Sequence, residues 1–177
     1  MIDSFLWASE FRALFDRCVA KMKQGDANHD AWFSAGDLKF LAAIGCKPRE
    51  LFDFVDDHCS SDGGEPSAET ALLIASARRD YFLVVQEGVA SMKVVRPAEL
   101  PPKAAEMDGI PWLPRFIAKA EAKLRGEMDP DTMFGCGGDL AFCSRHHLHP
   151  ADFLRVVWAA HGDKSKILHF VRSGKFV

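Results

Sequence analysis

Apolar positions recur every three or four residues along most of the chain, the spacing that places side chains on one face of a helix. A first helix is predicted from Phe5 to Lys23, and Gly25 ends it. A matching helix is predicted from Trp112 to Arg125, and Gly126 ends that one. Both apolar faces favour helix-on-helix packing.

An internal repeat is predicted because residues 11–58 align with residues 113–160 at a constant offset of 102 positions without a gap. Eight of these 48 positions are identical, whereas average composition gives about three by chance. The identities fall mostly on apolar and capping positions, which indicates a shared packing pattern. They are Ala20/Ala122, Lys21/Lys123, Gly36/Gly138, Asp37/Asp139, Leu38/Leu140, Phe40/Phe142, Pro48/Pro150 and Val55/Val157.

Two further helices are predicted in each copy. The second begins at the shared Gly-Asp-Leu, where Asp37 or Asp139 can accept hydrogen bonds from first-turn amides. The third begins at Pro48 or Pro150, because proline is tolerated in a first helical turn. Between the first and second helices, a large ring (Trp32 or Phe134) is expected to fill the core.

The predicted fold class is therefore all-α, with two divergent helical repeats at 1–88 and 112–177. The first copy adds a long helix from Pro66-Ser67 to about Val85, and the second adds a short helix between Asp163 and Arg172. The segment 89–111, which contains prolines, is expected to be a linker. A strand at 91–95 is the alternative for part of this linker.

The segment Leu113-Pro114-Arg115 and the following residues 119–126 resemble an uncharacterised bacterial family, the domain of unknown function five-zero-six-nine. The likeness covers roughly 112–173 and includes Gly138-Asp139-Leu140 and the helix that starts at Pro150. Ala118 stands where the family pattern has Asp, and Glu121 stands where it has Arg. The resemblance implies a helical fold and brings no catalytic residue with it.

The amino-acid composition argues against nucleic-acid binding, secretion and a membrane span. The net charge is −3, which offers no basic surface for nucleic acid. The five cysteines have no paired spacing, and the first residues do not resemble a secretory signal, so a cytoplasmic location is expected. No stretch approaches the roughly twenty apolar residues that a membrane span needs, so no membrane role is expected.

Five metal-ligand residues lie within fourteen positions, and thiolate with imidazole suits zinc. Against a structural metal, the aligned positions in the first copy lack these donors. The alternative is a buried cysteine with solvated histidines at a helix end, so no cofactor is expected and zinc is the metal to test. The candidate ligands are Cys136, Cys143, His146, His147 and His149.

Two charged rows are candidate binding sites. Arg115, Lys119 and Lys123 recur every four residues, and with Asp139 they are the residues proposed to bind an anion or an acidic partner. The acidic run Asp53, Asp56 and Asp57 is a second candidate. For both rows, the alternative is a solvated surface.

The sequence favours a small binding protein, an adaptor or a regulator, with a groove between its two lobes for a protein partner or a small anion. The alternative is a metal- or cysteine-dependent enzyme that uses the Cys/His cluster, with Cys143 or Cys136 as nucleophile. Enzymatic activity is not expected.

Overall fold

The computed structural model describes residues 4–26 and 28–176, which are mostly helical, as predicted. The described residues form eight α-helices, two short 3-10 turns (His29–Ala31 and Pro97–Glu99) and one small hairpin. The helices are α1 (Trp7–Lys23), α2 (Ala35–Ala43), α3 (Pro48–Ser60), α4 (Ala68–Val84), α5 (Leu113–Arg125), α6 (Gly137–Arg145), α7 (Pro150–Ala159) and α8 (Lys164–Ser173).

Local signals set most helix ends where they were predicted. Pro48 and Pro150 open α3 and α7. The Ser67 hydroxyl accepts a hydrogen bond from Thr70 N at 3.2 Å and starts α4. Gly126 ends α5 with a φ of 69°, a left-handed conformation in which a Cβ is unfavourable.

The start of α2 differs from the prediction. Ser34, and not Asp37, is the capping residue, and its hydroxyl accepts from Asp37 N at 3.1 Å. Asp37 completes the capping box by accepting from Ser34 N at 2.9 Å.

The predicted linker contains more structure than was expected. Residues 91–95 form no strand, although Val95 makes an isolated parallel bridge to Met128. A hairpin of β1 (Glu106–Met107) and β2 (Ile110–Pro111) precedes α5, and the sequence analysis missed it.

One continuous hydrophobic core runs through both halves of the chain. In the second half, Phe116 stacks on Phe134 and Phe153, with ring centroids 5.2 and 4.1 Å apart. Trp32 and Phe134, which were expected to fill the core, are both buried. Helix α4 packs against α1 and also against α5 and α7, so it joins the two halves.

Corresponding helices of the two halves share their bounds at the offset seen in the sequence. Helices α2 and α6 both begin and end 102 positions apart. Helices α3 and α7 begin 102 positions apart, and α1 and α5 end 102 positions apart. In residues 4–26 and 28–176, no helix is both long and apolar enough to cross a membrane.

Candidate functional site

A groove of about 620 Å³ opens between α3 of the first half and α5 and α6 of the second. Its volume lies within the range of small-molecule sites, about 300–1,000 Å³. Both charged rows noted in the sequence contribute to it. The lining residues are Arg49, Asp53, Asp56, Asp57, Pro97, Lys103, Trp112, Arg115, Lys119, Pro130, Asp131, Thr132, Met133, Cys136 and Gly138.

A buried ion pair between Lys119 and Asp139 forms the floor of the groove. The two side chains are 3% and 0% exposed. Asp139 Oδ2 accepts from Lys119 Nζ and from Gly135 N, the latter at 2.9 Å. Its Oδ1 accepts from Trp112 Nε1 at 3.0 Å. Because Asp139 accepts bonds on both oxygens, the floor is held in one arrangement.

Trp112 covers the first turn of α6. Its backbone has a φ of 71°, which is unfavourable for a residue with a side chain, and this conformation precedes α5. A Cβ added to Gly138 would lie 2.7 Å from the Trp112 ring. The absence of a side chain at position 138 is therefore what allows the indole to reach Asp139.

Cys136 lies at the edge of this floor, immediately before α6. Its sulfur accepts a hydrogen bond from Lys119 Nζ at 3.3 Å, and its side chain is partly exposed to the groove. An ammonium group and a helix N-terminus beside the sulfur are the surroundings in which nucleophilic thiols are found.

The wall on α3 carries the acidic row. Asp53 accepts from Arg49 Nε at 2.8 Å, whereas Asp56 and Asp57 form no ion pair with any residue that the structure describes. Burial raises the pKa of Asp53 to about 6 against the lowering effect of Arg49. Burial and the neighbouring Asp56 raise the pKa of Asp57, and Lys119 partly offsets them. Negative charge on this wall is therefore incompletely neutralised.

The opposite wall is basic. Arg115 donates to Pro101 O at 2.7 Å, and its guanidinium carbon lies 5.9 Å from the Trp112 ring centroid. Lys103 is exposed at the rim. Within 4–26 and 28–176, neither side chain has a carboxylate partner, so both remain available to an anionic group.

The residues of the predicted basic row do not all lie in the groove. Arg115 and Lys119 line the groove, but Lys123 is buried beneath it, with Nζ 3.1 Å from Glu50 Oε2 and 5.1 Å from the Phe54 ring centroid. The alternative of a solvated row is wrong for Lys119 and Lys123, which are 3% and 2% exposed. Lys123 instead ties α5 to α3.

The predicted zinc ligands are not brought together. Helix α6 ends at Arg145, so His146 and His147 do not continue the face of Cys143 as expected. Cys143 is buried, and burial raises its pKa to about 12. His149 Nδ1 accepts from Ala151 N at 3.1 Å and caps α7.

His146 packs on Phe142, with ring centroids 4.5 Å apart, and burial lowers its pKa. In the part of the chain that the structure describes, no group of three or more His, Cys, Asp or Glu side chains is placed to hold a metal ion. Zinc binding stays a prediction that these positions do not support.

Several groove residues were not singled out from the sequence, among them three with side chains that can bind a ligand. Trp112 was assigned only to a helix, Lys103 only to a linker, and Arg49 was not singled out. One signal for the buried pair was present: Arg17 precedes Asp37, and Lys119 precedes Asp139, by 20 residues in each case. No family model, curated protein or solved structure matches the chain.

Proposed function

We propose that this chain is a small helical binding protein, with an adaptor or regulatory role, and that the groove between α3, α5 and α6 is its binding site. One observation carries the proposal: a cavity of about 620 Å³ has walls from both halves of the chain and side chains of both charges that form no ion pair within residues 4–26 and 28–176. Such a cavity can receive a ligand without first unfolding any element.

The floor of the groove supports a binding role because its side chains are held in place before a ligand binds. Lys119 and Asp139 satisfy each other, and the Trp112 indole is fixed by a hydrogen bond. A ligand that enters the groove therefore meets a surface of fixed shape, which lowers the entropic cost of binding.

The charges argue for a small ligand and against nucleic acid. The groove presents acidic residues on α3 opposite Arg115 and Lys103, and the chain has a net charge of −3. Phosphate backbones are bound by a concentrated excess of Lys and Arg, which is not the pattern of this groove.

The test is an NMR titration that follows the tryptophan indole N–H signals, with Trp112→Phe used to assign the groove signal. Inorganic phosphate, small carboxylates, amines and zwitterions serve as probes. We expect at least one probe to shift the Trp112 signal and leave those of Trp7 and Trp32, which lie in the core, unchanged. If no probe moves the Trp112 signal, the proposal is wrong.

A cysteine-dependent activity is the second candidate, and the position of Cys136 favours it over Cys143. Lys119 Nζ contacts the Cys136 sulfur at 3.3 Å at the groove, whereas Cys143 is buried. Timed alkylation with iodoacetamide, followed by peptide mass spectrometry, is expected to label Cys136 first, with Cys59 as the partly exposed reference. Labelling of Cys59 ahead of Cys136 would remove this candidate.

We also propose that the two halves are divergent copies of one helical unit, and that the second copy belongs to the family it resembles. The shared helix bounds support the first statement, and the motif from Leu113 to Gly126 supports the second. The described cysteines are all free, which supports a cytoplasmic location.

A further inference from the structure

The groove is lined by unneutralised acids on α3 and at Asp131, in the loop before α6, and by unneutralised bases on α5 and in the segment before it. On α3, Asp56 and Asp57 have no ion pair within the described ranges 4–26 and 28–176. Across the groove, Arg115 donates only to a backbone carbonyl, and Lys103 is exposed. Lys119 is not available to a ligand to the same degree because Asp139 already neutralises it.

We infer that the groove selects a small zwitterion, with its ammonium group against Asp56 and Asp57 and its carboxylate against Arg115 and Lys103. This inference rests on the proposed function and names the ligand class of the same groove. An amino acid or a short peptide has this chemistry and fits a cavity of about 620 Å³.

The electrostatics of the acidic wall support a cationic group there. Burial and like charge make ionised Asp57 unfavourable in the unliganded protein. An ammonium group at this wall would relieve the repulsion between Asp56 and Asp57, whereas a second anion would increase it. A purely anionic ligand is therefore attracted by Arg115 and repelled by the acidic residues of α3.

The basic wall supports a planar acid. Arg115 is held by Pro101 O and lies near the Trp112 ring, so its guanidinium is oriented before a ligand arrives. A guanidinium can hold both oxygens of a carboxylate with two parallel hydrogen bonds. Lys103 adds an exposed positive charge at the rim.

A matched series of probes tests the inference: 6-aminohexanoate carries both charges, hexanoate carries only the acid, and hexylamine carries only the base. Affinities are measured from the NMR shift of the Trp112 indole signal. We expect 6-aminohexanoate to bind up to about fivefold more tightly than either relative, since each added ion pair contributes up to about 1 kcal/mol.

Two groove variants test which wall of the groove binds the ammonium group of the ligand and which binds its carboxylate. Asp57→Asn is expected to weaken the binding of 6-aminohexanoate and, because it removes a like charge, to leave hexanoate binding equal or slightly tighter, so that the two affinities approach each other. Arg115→Gln is expected to reduce the affinity for 6-aminohexanoate to that for hexylamine. Exposed residues of α1 provide controls, and neither Asp16→Asn nor Arg12→Gln should change either affinity.

Lys103→Gln is the second basic-wall variant if Arg115→Gln does not fold, because Lys103 is exposed. Equal affinity for hexanoate and 6-aminohexanoate would overturn the zwitterion inference while the groove remained a binding site. Loss of all Trp112 shifts with all three probes would contradict the proposed function itself.

Discussion

The same acid, 102 positions apart, has different surroundings in the two halves of the molecule. Asp37 is 18% exposed and accepts from Arg17 at 2.6 Å, and Arg17 is itself 50% exposed. Asp139 is fully buried with Lys119, and the indole of Trp112 covers the pair. One pattern of base and acid therefore serves as a surface cap in the first half and as the floor of a groove in the second.

The pKa of Asp37 shows what the exposed arrangement does. Burial alone would raise this pKa, but hydrogen bonds from the Ser34 hydroxyl and backbone, together with Arg17, outweigh burial and lower it. Solvent screens this acid, so its loss removes one half of the capping box and an exposed ion pair, and little else. Loss of Asp139 would instead leave a buried ammonium without its carboxylate, with only the Cys136 sulfur as an acceptor among the residues that the structure describes.

The largest expected effect follows from this difference. Asp139→Ala should destabilise the fold by about 3–5 kcal/mol, because it leaves Lys119 charged and unpaired in the interior. Asp37→Ala should cost about 1 kcal/mol, the usual loss for a helix cap. Urea unfolding of both variants measures the two losses, and similar values would show that burial of the second pair does not matter.

A second effect concerns the glycines before these acids. Gly138→Ala places a Cβ 2.7 Å from the Trp112 ring and should cost about 1–3 kcal/mol. Gly36→Ala meets only the Ser34 hydroxyl, at 3.6 Å, and should stabilise α2 by about 0.5–1 kcal/mol. Thermal unfolding checks the opposite signs. Destabilisation of similar size by both substitutions would contradict the assigned role of Trp112.

The acidic wall gives a pH-dependent prediction. The pKa of Asp53 rises from 3.8 to about 6 in the folded protein. Between these values, the folded chain holds a proton that the unfolded chain has released, so this residue lowers stability as the pH rises through the window. Compared with the parent, Asp53→Asn should therefore gain about 1–2 kcal/mol of stability when the pH is raised from about 4 to about 7.

The control for this prediction is Arg155→Gln on α7, 102 positions after Asp53. Arg155 forms an exposed pair with Asp152 at 3.0 Å. Its replacement should give the same stability difference from the parent at both pH values. Urea unfolding at the two pH values tests both variants, and a pH-independent effect of Asp53→Asn would contradict the assignment.

The smallest expected effect lies at the ends of α2 and α6. Gly45 has a φ of 68°, and the equivalent His147 has a φ of 54°. Because a side chain is unfavourable in this region, His147→Gly should stabilise the protein by about 1 kcal/mol. Thermal unfolding measures it, and destabilisation would show that the imidazole makes a contribution of its own.

The helices were predictable because their limits depend on nearby residues. Pro48, Gly126 and Asp163 act within one turn, and the structure has helix ends at all three. The hairpin before α5 was not predictable in this way, because strands of two residues each are too short to establish an alternating pattern.

The groove was predicted only as a place between two lobes, since its walls come from distant parts of the chain. A lysine in a charged row usually indicates a solvated surface, and no periodicity distinguishes Lys119 from Arg115. Their different burial depends on Trp112 and Asp139, which the fold brings together. His147 does not continue the helical face of Cys143 for a local reason, because a left-handed turn at His147 follows the end of α6.

The contacts of α4 and the residues that follow it hold the two halves together independently of the covalent connection between them. Arg78 donates to Gln86 Oε1 at 2.8 Å, and Gln86 Nε2 donates to Arg125 O at 3.2 Å. These contacts, with the packing of α4 on α5 and α7, do not pass through the stretch 89–94, in which Val89, Met92 and Val94 are exposed. A protease that nicks this stretch would therefore leave two fragments that elute together, and the pieces made separately should reassemble when mixed.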